Sequence, residues 1–114
     1  MSFFVRAQFT VPEDRREEFE AIAFALREQA AQEPGTLTYR WFSPEPGSYL
    51  VLEQYMDAEA ALAHNERAAE LLVRVGDCAQ MASAEFYGPL THELEEWVRA
   101  HPQATAFAEL TDPQ

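Results

Sequence analysis

The sequence is poor in cysteine and in basic residues. Cys78 is the one cysteine among 114 residues, so an internal disulfide cannot form and a reducing compartment is favoured. Lysine and arginine together number 8 against 20 acidic residues, and the formal net charge is −12. Such a charge repels a phosphate backbone or an anionic lipid surface. We therefore expect no nucleic-acid partner and no membrane partner.

Long apolar runs and targeting signals are also missing. No run approaches the ~18 apolar residues of a membrane-spanning helix. Residues 1–9 have no basic region ahead of an apolar stretch, which a secretory signal would need. A cytoplasmic location is the expectation.

The motifs of several enzyme classes are absent. The sequence has no glycine-rich phosphate loop, no dinucleotide-binding fingerprint and no Ser-His-Asp or Cys-His arrangement in a usable context. The spacing of His64, Cys78, His92 and His101 forms no recognised metal-ligand motif. Hydrolases and nucleotide-dependent enzymes are therefore disfavoured, and we expect neither a cofactor nor a metal.

The first half of the chain predicts a strand, a helix and a hairpin. Apolar residues occupy every odd position of residues 3–11, which is typical of a strand with one buried face. Pro12 then starts a helix with apolar residues at helical spacing, which stops at Glu33-Pro34-Gly35. Residues 37–43 and 48–56 are rich in β-branched and aromatic residues. They are predicted to pair as an antiparallel hairpin.

The second half predicts a helix, a strand and an appended helix. Asp57 is the predicted N-cap of a helix that breaks near His64 and Asn65 and ends at Gly76-Asp77. Residues 78–87 follow as a strand. A short helix capped by Thr91 comes next, and in the last dozen residues the available apolar anchors are Phe107 and Leu110.

This order of elements is that of a split βαβ, or ferredoxin-like, α+β domain with a four-stranded antiparallel sheet. We assign residues 1–88 to that unit and residues 89–114 to a C-terminal helical extension and tail of the same domain. The strands carry apolar residues on both faces, for example Leu52 opposite Val51, whereas helices cover one face only. A homodimer formed through the sheet is therefore predicted.

Three stretches together resemble the antibiotic biosynthesis monooxygenase family. They run from Phe9-Thr10-Val11-Pro12 to Leu26, from Glu33-Pro34-Gly35-Thr36-Leu37 to Trp41, and from Leu52-Glu53-Gln54-Tyr55 through Ala63-His64. In the third, a strand ending in Tyr55 runs into a helix with Asp57 at its start and Ala63-His64 further along. The resemblance covers roughly residues 3–87 and implies a dimeric α/β barrel.

The resemblance implies a cofactor-independent monooxygenase acting on a small aromatic substrate, which is a quinol, phenolic or anthrone-like molecule. Removing a proton from such a substrate makes an electron-rich anion that reacts with oxygen, so the protein need supply only a base, a dry pocket and hydrogen-bond donors. The alternative is a non-catalytic small-molecule-binding or stress-associated dimer with the same fold.

His64 and its neighbour Asn65 are the predicted catalytic residues, because imidazole can take or give a proton near neutral pH. A structural histidine near a helix break is the alternative for His64. Tyr39, Trp41 and Tyr55 are predicted to form an aromatic wall for the substrate, although core packing or dimer contact would explain them equally well.

The sequence also departs in places from the pattern of the family that it resembles. After Ala63-His64, members often have a small residue, a Pro or His and an aromatic, where this chain has Asn65-Glu66-Arg67-Ala68-Ala69. Haem-degrading relatives share an Asn on the first strand and a Trp and a His on the second helix. The corresponding positions here are Ala7, His64 and Arg74, which leaves no axial histidine at the expected place, so haem degradation is not expected.

Three further titratable residues are predicted to have structural roles. Glu53 lies in mid-strand, where a carboxylate needs either a partner or a wet interface, and Arg40 or Arg6 across the sheet is the expected partner. His92 and His101 lie in the appended helix region and are expected at the surface.

Overall fold

The predicted order of strands and helices is present in the computed structural model, which describes residues 2–111. The strands are β1 (Phe3–Thr10), β2 (Thr36–Glu45), β3 (Ser48–Tyr55), β4 (Gln80–Tyr87) and β5 (Ala104–Phe107). The helices are α1 (Arg16–Ala31), α2 (Ala58–Arg67), α3 (Ala69–Cys78) and α4 (His92–Ala100). The α+β, ferredoxin-like fold is thereby confirmed.

The sheet has five strands in the order β2-β3-β1-β4-β5, one more than predicted. β1 lies at the centre between β3 and β4, and these pairs and β2 with β3 are antiparallel. The additional β5 runs parallel to β4 at the edge, with Phe107 opposite Tyr87. Sequence patterning missed β5 because a segment of four residues is too short to show alternation.

The C-terminal tail is held by one of its two predicted anchors. The ring of Phe107 stacks on Tyr87 with 5.0 Å between the ring centroids. Leu110, by contrast, is 96% exposed, so the prediction that it anchors the tail is wrong. Residues 112–114, the end of the predicted extension, lie outside the described residues.

The two faces of the sheet have different surroundings. Odd-numbered residues of β1, among them Phe3 and Val5, are buried on the face that the helices cover. On the other face, large apolar side chains stay exposed, with exposed fractions of 44% for Phe4, 42% for Phe42 and 40% for Leu52. The alternation along the strands therefore separates a buried inner face from a partly apolar outer face.

The second predicted helix begins at its predicted cap but breaks later than expected. Asp57 accepts a hydrogen bond from the Ala60 amide at 2.9 Å. The helix continues past His64 and is interrupted at Ala68, and its second part, α3, runs through Gly76-Asp77 to Cys78. The break predicted at His64 and Asn65 is wrong because the His64 carbonyl keeps its helical bond to the Ala68 amide, at 2.9 Å.

The appended helix α4 packs on the inner side of the sheet. Thr91 caps it by accepting a hydrogen bond from the Leu94 amide at 3.2 Å, as predicted. Leu94 is buried in the same apolar cluster as Phe3 and Phe86. Among residues 2–111, no helix has the length and apolar content to cross a membrane.

Candidate functional site

A cavity of about 700 Å³ lies between the inner face of the sheet and helices α2, α3 and α4. This volume falls within the range typical of small-molecule sites. The wall is mainly apolar and includes Val5, Phe9, Leu62, Met81, Phe86 and Trp97. The alternation of the strands and the apolar faces of the helices together produce a mainly apolar space next to the sheet.

Five polar side chains line this cavity. Glu53 comes from β3, Asn65 and Glu66 come from α2, and Glu93 and His101 come from the region of α4. Asn65, Glu66 and Glu93 are solvent-exposed, whereas Glu53 and His101 are half-buried. The polar groups therefore differ in depth, and Glu53 is the one carried by the sheet.

Glu53 accepts a hydrogen bond from the hydroxyl of Tyr55, two residues later on the same face of β3. Burial raises the pKa of the Glu53 carboxyl, while the Tyr55 hydrogen bond and the nearby His64 imidazole offset part of that rise. A carboxyl whose pKa is raised by an apolar environment is a common feature of catalytic acids and bases.

The expected ion pair of Glu53 with Arg6 or Arg40 does not form. Glu53 lies opposite Val5 and Tyr39 in the sheet, whereas both arginines lie opposite Leu52 and point to the outer face. Arg6 instead contacts Glu85 at 3.0 Å, and the Arg40 guanidinium lies over the Phe42 ring at 5.1 Å. The prediction is wrong because the sheet register places the acid and the arginines on opposite faces.

His64 is buried behind the cavity and paired with Glu33. The imidazole is 2% exposed, and its Nδ1 lies 2.8 Å from Oε1 of Glu33. Glu33 also accepts hydrogen bonds from Gln29 at 2.9 Å and Thr36 at 2.7 Å, and Arg67 lies 3.4 Å away. Burial alone raises the pKa of Glu33, but the hydrogen bonds from Gln29, Thr36 and His64 outweigh it and lower that pKa.

The charge state of Glu33 determines the tautomer of His64. A lowered pKa keeps Glu33 as a carboxylate at neutral pH, and a carboxylate only accepts hydrogen bonds. Nδ1 of His64 therefore carries a hydrogen, which it donates to Glu33. In the neutral imidazole, Nε2 is then the basic nitrogen.

The predicted aromatic residues surround His64 and do not line the cavity. The ring centroids of Tyr39 and Tyr55 lie 5.2 and 5.7 Å from that of His64, and Trp41 lies 6.2 Å from Tyr39. Of the five predicted site residues, Asn65 is at the cavity wall. The structure thus packs Tyr39 and Tyr55 against the His64 ring and Trp41 against Tyr39, and none of these four residues lines the cavity.

Glu33 and His101 were not among the predicted site residues. In the sequence Glu33 is predicted only as part of a helix stop. Its contact with His64 spans 31 positions, which local patterns cannot indicate. His101, predicted at the surface, is half-buried at the cavity, stacks on Trp97 with 3.9 Å between centroids and donates from Nδ1 to the Trp97 carbonyl. His92 is exposed and lies 3.0 Å from Glu96, as a surface residue does.

Within residues 2–111, no group of three or more His, Cys, Asp or Glu side chains could hold a metal ion. The polar groups of the site are instead spread over the sheet, α2 and the end of α4. They are suited to hydrogen bonding and proton transfer within an otherwise apolar enclosure.

Residues 2–70 match the family described as antibiotic biosynthesis monooxygenase. Among solved structures, MupZ from Pseudomonas fluorescens is similar at 26% identity over 99% of this chain and 93% of that one, with a TM-score of 0.79. A putative antibiotic biosynthesis monooxygenase from Nitrosomonas europaea is 22% identical over 80% of this chain and 92% of its own, with a TM-score of 0.69.

A third similar structure is SnoaB, a cofactor-independent oxygenase from Streptomyces nogalater, as its N63A mutant. It is 14% identical over 79% of this chain and 94% of its own, with a TM-score of 0.67. The sequence matches no curated protein. The likeness to MupZ spans the C-terminal extension, since it covers 99% of the chain.

Proposed function

The chain belongs to the antibiotic biosynthesis monooxygenase family, and from that premise we propose that it is a cofactor-independent monooxygenase. Its proposed substrate is a small aromatic molecule of the quinol, phenolic or anthrone-like type. The observation that supports this proposal best is the apolar cavity of about 700 Å³, which has room for such a molecule. The similarity to a cofactor-independent oxygenase supports the same reaction class.

The proposed reaction uses the substrate itself as the source of electrons. For an anthrone-like substrate, a ring CH₂ group and O₂ give a ring carbonyl and water. One oxygen atom enters the product, the other leaves as water, and all four electrons come from the CH₂ carbon. The protein's task is to remove a proton in a dry cavity, where the resulting anion can react with oxygen.

In this proposal His64 and Asn65 supply proton-transfer and hydrogen-bonding groups. The Asn65 side chain lies at the cavity wall, and His64 acts from the layer behind it, where Glu33 holds the ring. Tyr39 and Tyr55 pack against the His64 ring and Trp41 packs against Tyr39, so in this proposal the three aromatic residues hold the imidazole in place.

We also propose that the protein is a homodimer formed through the outer face of the sheet. The exposed rings of Phe4 and Phe42 and the Leu52 side chain give this face the apolar character of a subunit interface. Since helices cover only the inner face, a second copy is the natural cover for the outer one.

Oxygen uptake with a panel of hydroquinones and 1,8-dihydroxyanthrone tests the proposed reaction. We expect consumption of oxygen above the uncatalysed rate with at least one compound, together with quenching of the fluorescence of Trp97, which lines the cavity. Quenching without oxygen consumption by any compound would contradict the oxygenase and favour the alternative of a small-molecule-binding or stress-associated dimer.

A further inference from the structure

Glu53 is a carboxylate inside an apolar cavity for which no cation is provided. Among residues 2–111 no arginine or histidine forms an ion pair with it, and its Oε1 accepts a hydrogen bond from the Tyr55 hydroxyl. Burying an unpaired carboxylate is costly, because the charge loses its hydration without gaining a partner. Such a group is hard to explain by stability alone, and its position on the cavity suggests that it meets a ligand.

The second carboxylate oxygen is the one available to a ligand. The Tyr55 hydroxyl holds Oε1, so Oε2 has no partner among the described residues. Among the described residues, the buried side-chain atoms that are shielded from solvent and lack a hydrogen bond belong to Arg16 and Trp41. Oε2 of Glu53 is not one of them, so it is not shielded from solvent. Together with the place of Glu53 in the cavity lining, this leaves Oε2 accessible from the cavity.

The other polar groups of the cavity fit the role of a deep proton acceptor less well. Glu66 and Glu93 are solvent-exposed on helices, so water screens and hydrates them. His101 is stacked on Trp97 and bonded to its carbonyl at the end of α4. Glu53 is carried by β3 in the sheet, where the backbone is held by neighbouring strands on both sides.

We propose that Glu53 accepts the proton of the substrate's hydroxyl group in the cavity. In this step the O–H bond breaks, the proton moves to Oε2, and the electron pair remains on the substrate oxygen as a phenolate or enolate. Tyr55 keeps the carboxylate in place through Oε1. Glu53 lines the cavity whereas His64 does not, so a substrate in the cavity meets Glu53 first. The inference rests on the proposed oxygenase function and specifies its first step.

The surroundings of Glu53 strengthen it as a base. Burial raises its pKa, and the His64 imidazole from α2 counteracts part of the rise. The other titratable groups near it are Tyr39 from β2, Tyr55 from β3 and Glu33 beyond α1. The residue opposite Glu53 on β1 is Val5, which in turn lies opposite Phe86 of β4, and both side chains are apolar.

Glu53→Gln tests the inference because glutamine has the same shape and can still accept the Tyr55 hydrogen bond. The matched control is Glu85→Gln, which makes the same change in a glutamate that also accepts a tyrosine hydroxyl but lies outside the cavity. With 1,8-dihydroxyanthrone, oxygen uptake should fall about 10²–10⁴-fold in Glu53→Gln. Glu85→Gln should retain wild-type uptake.

A second measurement reports the contact without turnover. 4-Nitrophenol absorbs differently in its phenol and phenolate forms, so the pKa of the bound molecule can be read directly. A carboxylate beside its hydroxyl disfavours the phenolate, so this pKa should be lower in Glu53→Gln than in the wild type and unchanged in Glu85→Gln. Glu53→Asp keeps the charge but moves it one methylene further from the phenol, so its bound-phenol pKa should lie between those of the wild type and Glu53→Gln.

The outcomes separate the inference from the proposed function. Equal oxygen uptake and an equal bound-phenol pKa in the wild type and Glu53→Gln would overturn the role of Glu53 and leave the oxygenase standing. No oxygen uptake in any variant, with a bound-phenol pKa that still shifts in Glu53→Gln, would refute the oxygenase while supporting the contact between Glu53 and a substrate hydroxyl.

Discussion

Two glutamate–tyrosine pairs lie on opposite faces of the sheet and differ in what surrounds the carboxylate. In each pair the tyrosine two residues after the glutamate donates its hydroxyl hydrogen: Tyr55 to Glu53 and Tyr87 to Glu85. Strand residues two apart share a face, so the local geometry is the same. Glu85 also pairs with Arg6 at 3.0 Å, whereas Glu53 faces the apolar cavity.

The comparison shows that register, rather than local sequence, determines the role of each acid. Arg6 lies directly opposite Glu85 on the outer face, and its guanidinium forms an ion pair with the Glu85 carboxylate. On the inner face Glu53 lies opposite Val5, and the same Glu-x-Tyr arrangement places an unpaired carboxylate at a cavity. On the outer face, Arg6 gives the Glu85 carboxylate a charged partner. On the inner face, the Glu53 carboxylate has no such partner, and we therefore infer that it serves a function at the cavity.

Removing the imidazole of His64, which packs against Tyr55 of the inner pair, should have the largest effect on turnover and stability. In His64→Ala, turnover per folded molecule should fall about 10²–10⁴-fold if His64 takes part in proton transfer. Loss of the buried partner of Glu33 should also lower the free energy of unfolding by about 3 kcal/mol. Oxygen uptake and thermal unfolding are to be measured on the same preparation.

The control for that variant is His92→Ala, which removes an exposed histidine and should change neither quantity. A His64→Ala protein with a lowered melting temperature but wild-type turnover per folded molecule would show that His64 is structural and remove it from the proposed mechanism.

The proposed dimer interface on the outer face can be tested by placing a charged side chain there. Leu52→Arg should convert the proposed dimer to a monomer, because a desolvated arginine without a partner disfavours a buried interface. Light scattering at micromolar concentration is the measurement. Val73→Arg, an equivalent change at an exposed position of α3, should remain dimeric. A monomer mass for the unmodified protein would end the idea of an interface through the sheet.

Glu53 and Glu33 should respond to pH in opposite directions. Burial raises the pKa of Glu53, so its contribution to stability is greatest at low pH and is lost as pH rises through the folded-state pKa. Glu53→Gln should therefore gain melting temperature relative to the wild type as pH increases. The structure thus predicts that removing this proposed base stabilises the protein at neutral pH.

Glu33 is the reverse case. Burial raises its pKa, but hydrogen bonds from Gln29, Thr36 and His64 outweigh that effect and lower it. Its stabilising contribution is present above the unfolded-state pKa and is lost as pH falls through the folded-state pKa. Glu33→Gln should accordingly be destabilised at neutral pH and approach the wild type in acid. Thermal unfolding curves of both variants from acid to neutral pH would refute this account if they shifted in parallel.

The smallest effect is expected on the outer pair. Arg6→Met removes the cation from Glu85, but in the separate protomer, where no partner covers the outer face, the two side chains are 41% and 26% exposed, so water replaces much of the lost interaction. Unfolding is therefore measured at a protein concentration low enough to keep the protein monomeric. The free energy of unfolding should change by at most about 1 kcal/mol, and added salt should reduce the difference. A larger loss in denaturant unfolding would mean that the outer pair is not merely a surface ion pair.

Local patterning was sufficient for much of the fold. Alternation predicted the buried face of β1, and Asp57 and Thr91 cap the helices where the sequence placed them. The helix break was misplaced because the polar His64 side chain is satisfied by Glu33, far away in sequence. Contacts of that kind depend on how the elements meet in space, which periodicity does not report.

The site was less predictable than the fold. Asn65, predicted as a site residue beside an expected helix break, lies at the cavity wall although the helix continues through it. Tyr39 and Tyr55, predicted as part of an aromatic wall for the substrate, pack against His64 instead. Which aromatic residues reach the cavity surface, and on which face Glu53 meets the arginines, depends on strand register. A shift of one residue reverses every side chain of a strand, so single-sequence reasoning could not settle the pairing of Glu53.

Labelling with ¹⁸O₂ tests the central claim most directly. The wild-type protein is incubated with 1,8-dihydroxyanthrone under ¹⁸O₂, and the product is examined by mass spectrometry alongside a reaction without protein. A monooxygenase predicts a protein-dependent product with one labelled oxygen atom, and the second atom in water. Substrate that quenches Trp97 yet forms no labelled product above the protein-free rate would contradict the oxygenase and leave a binding protein.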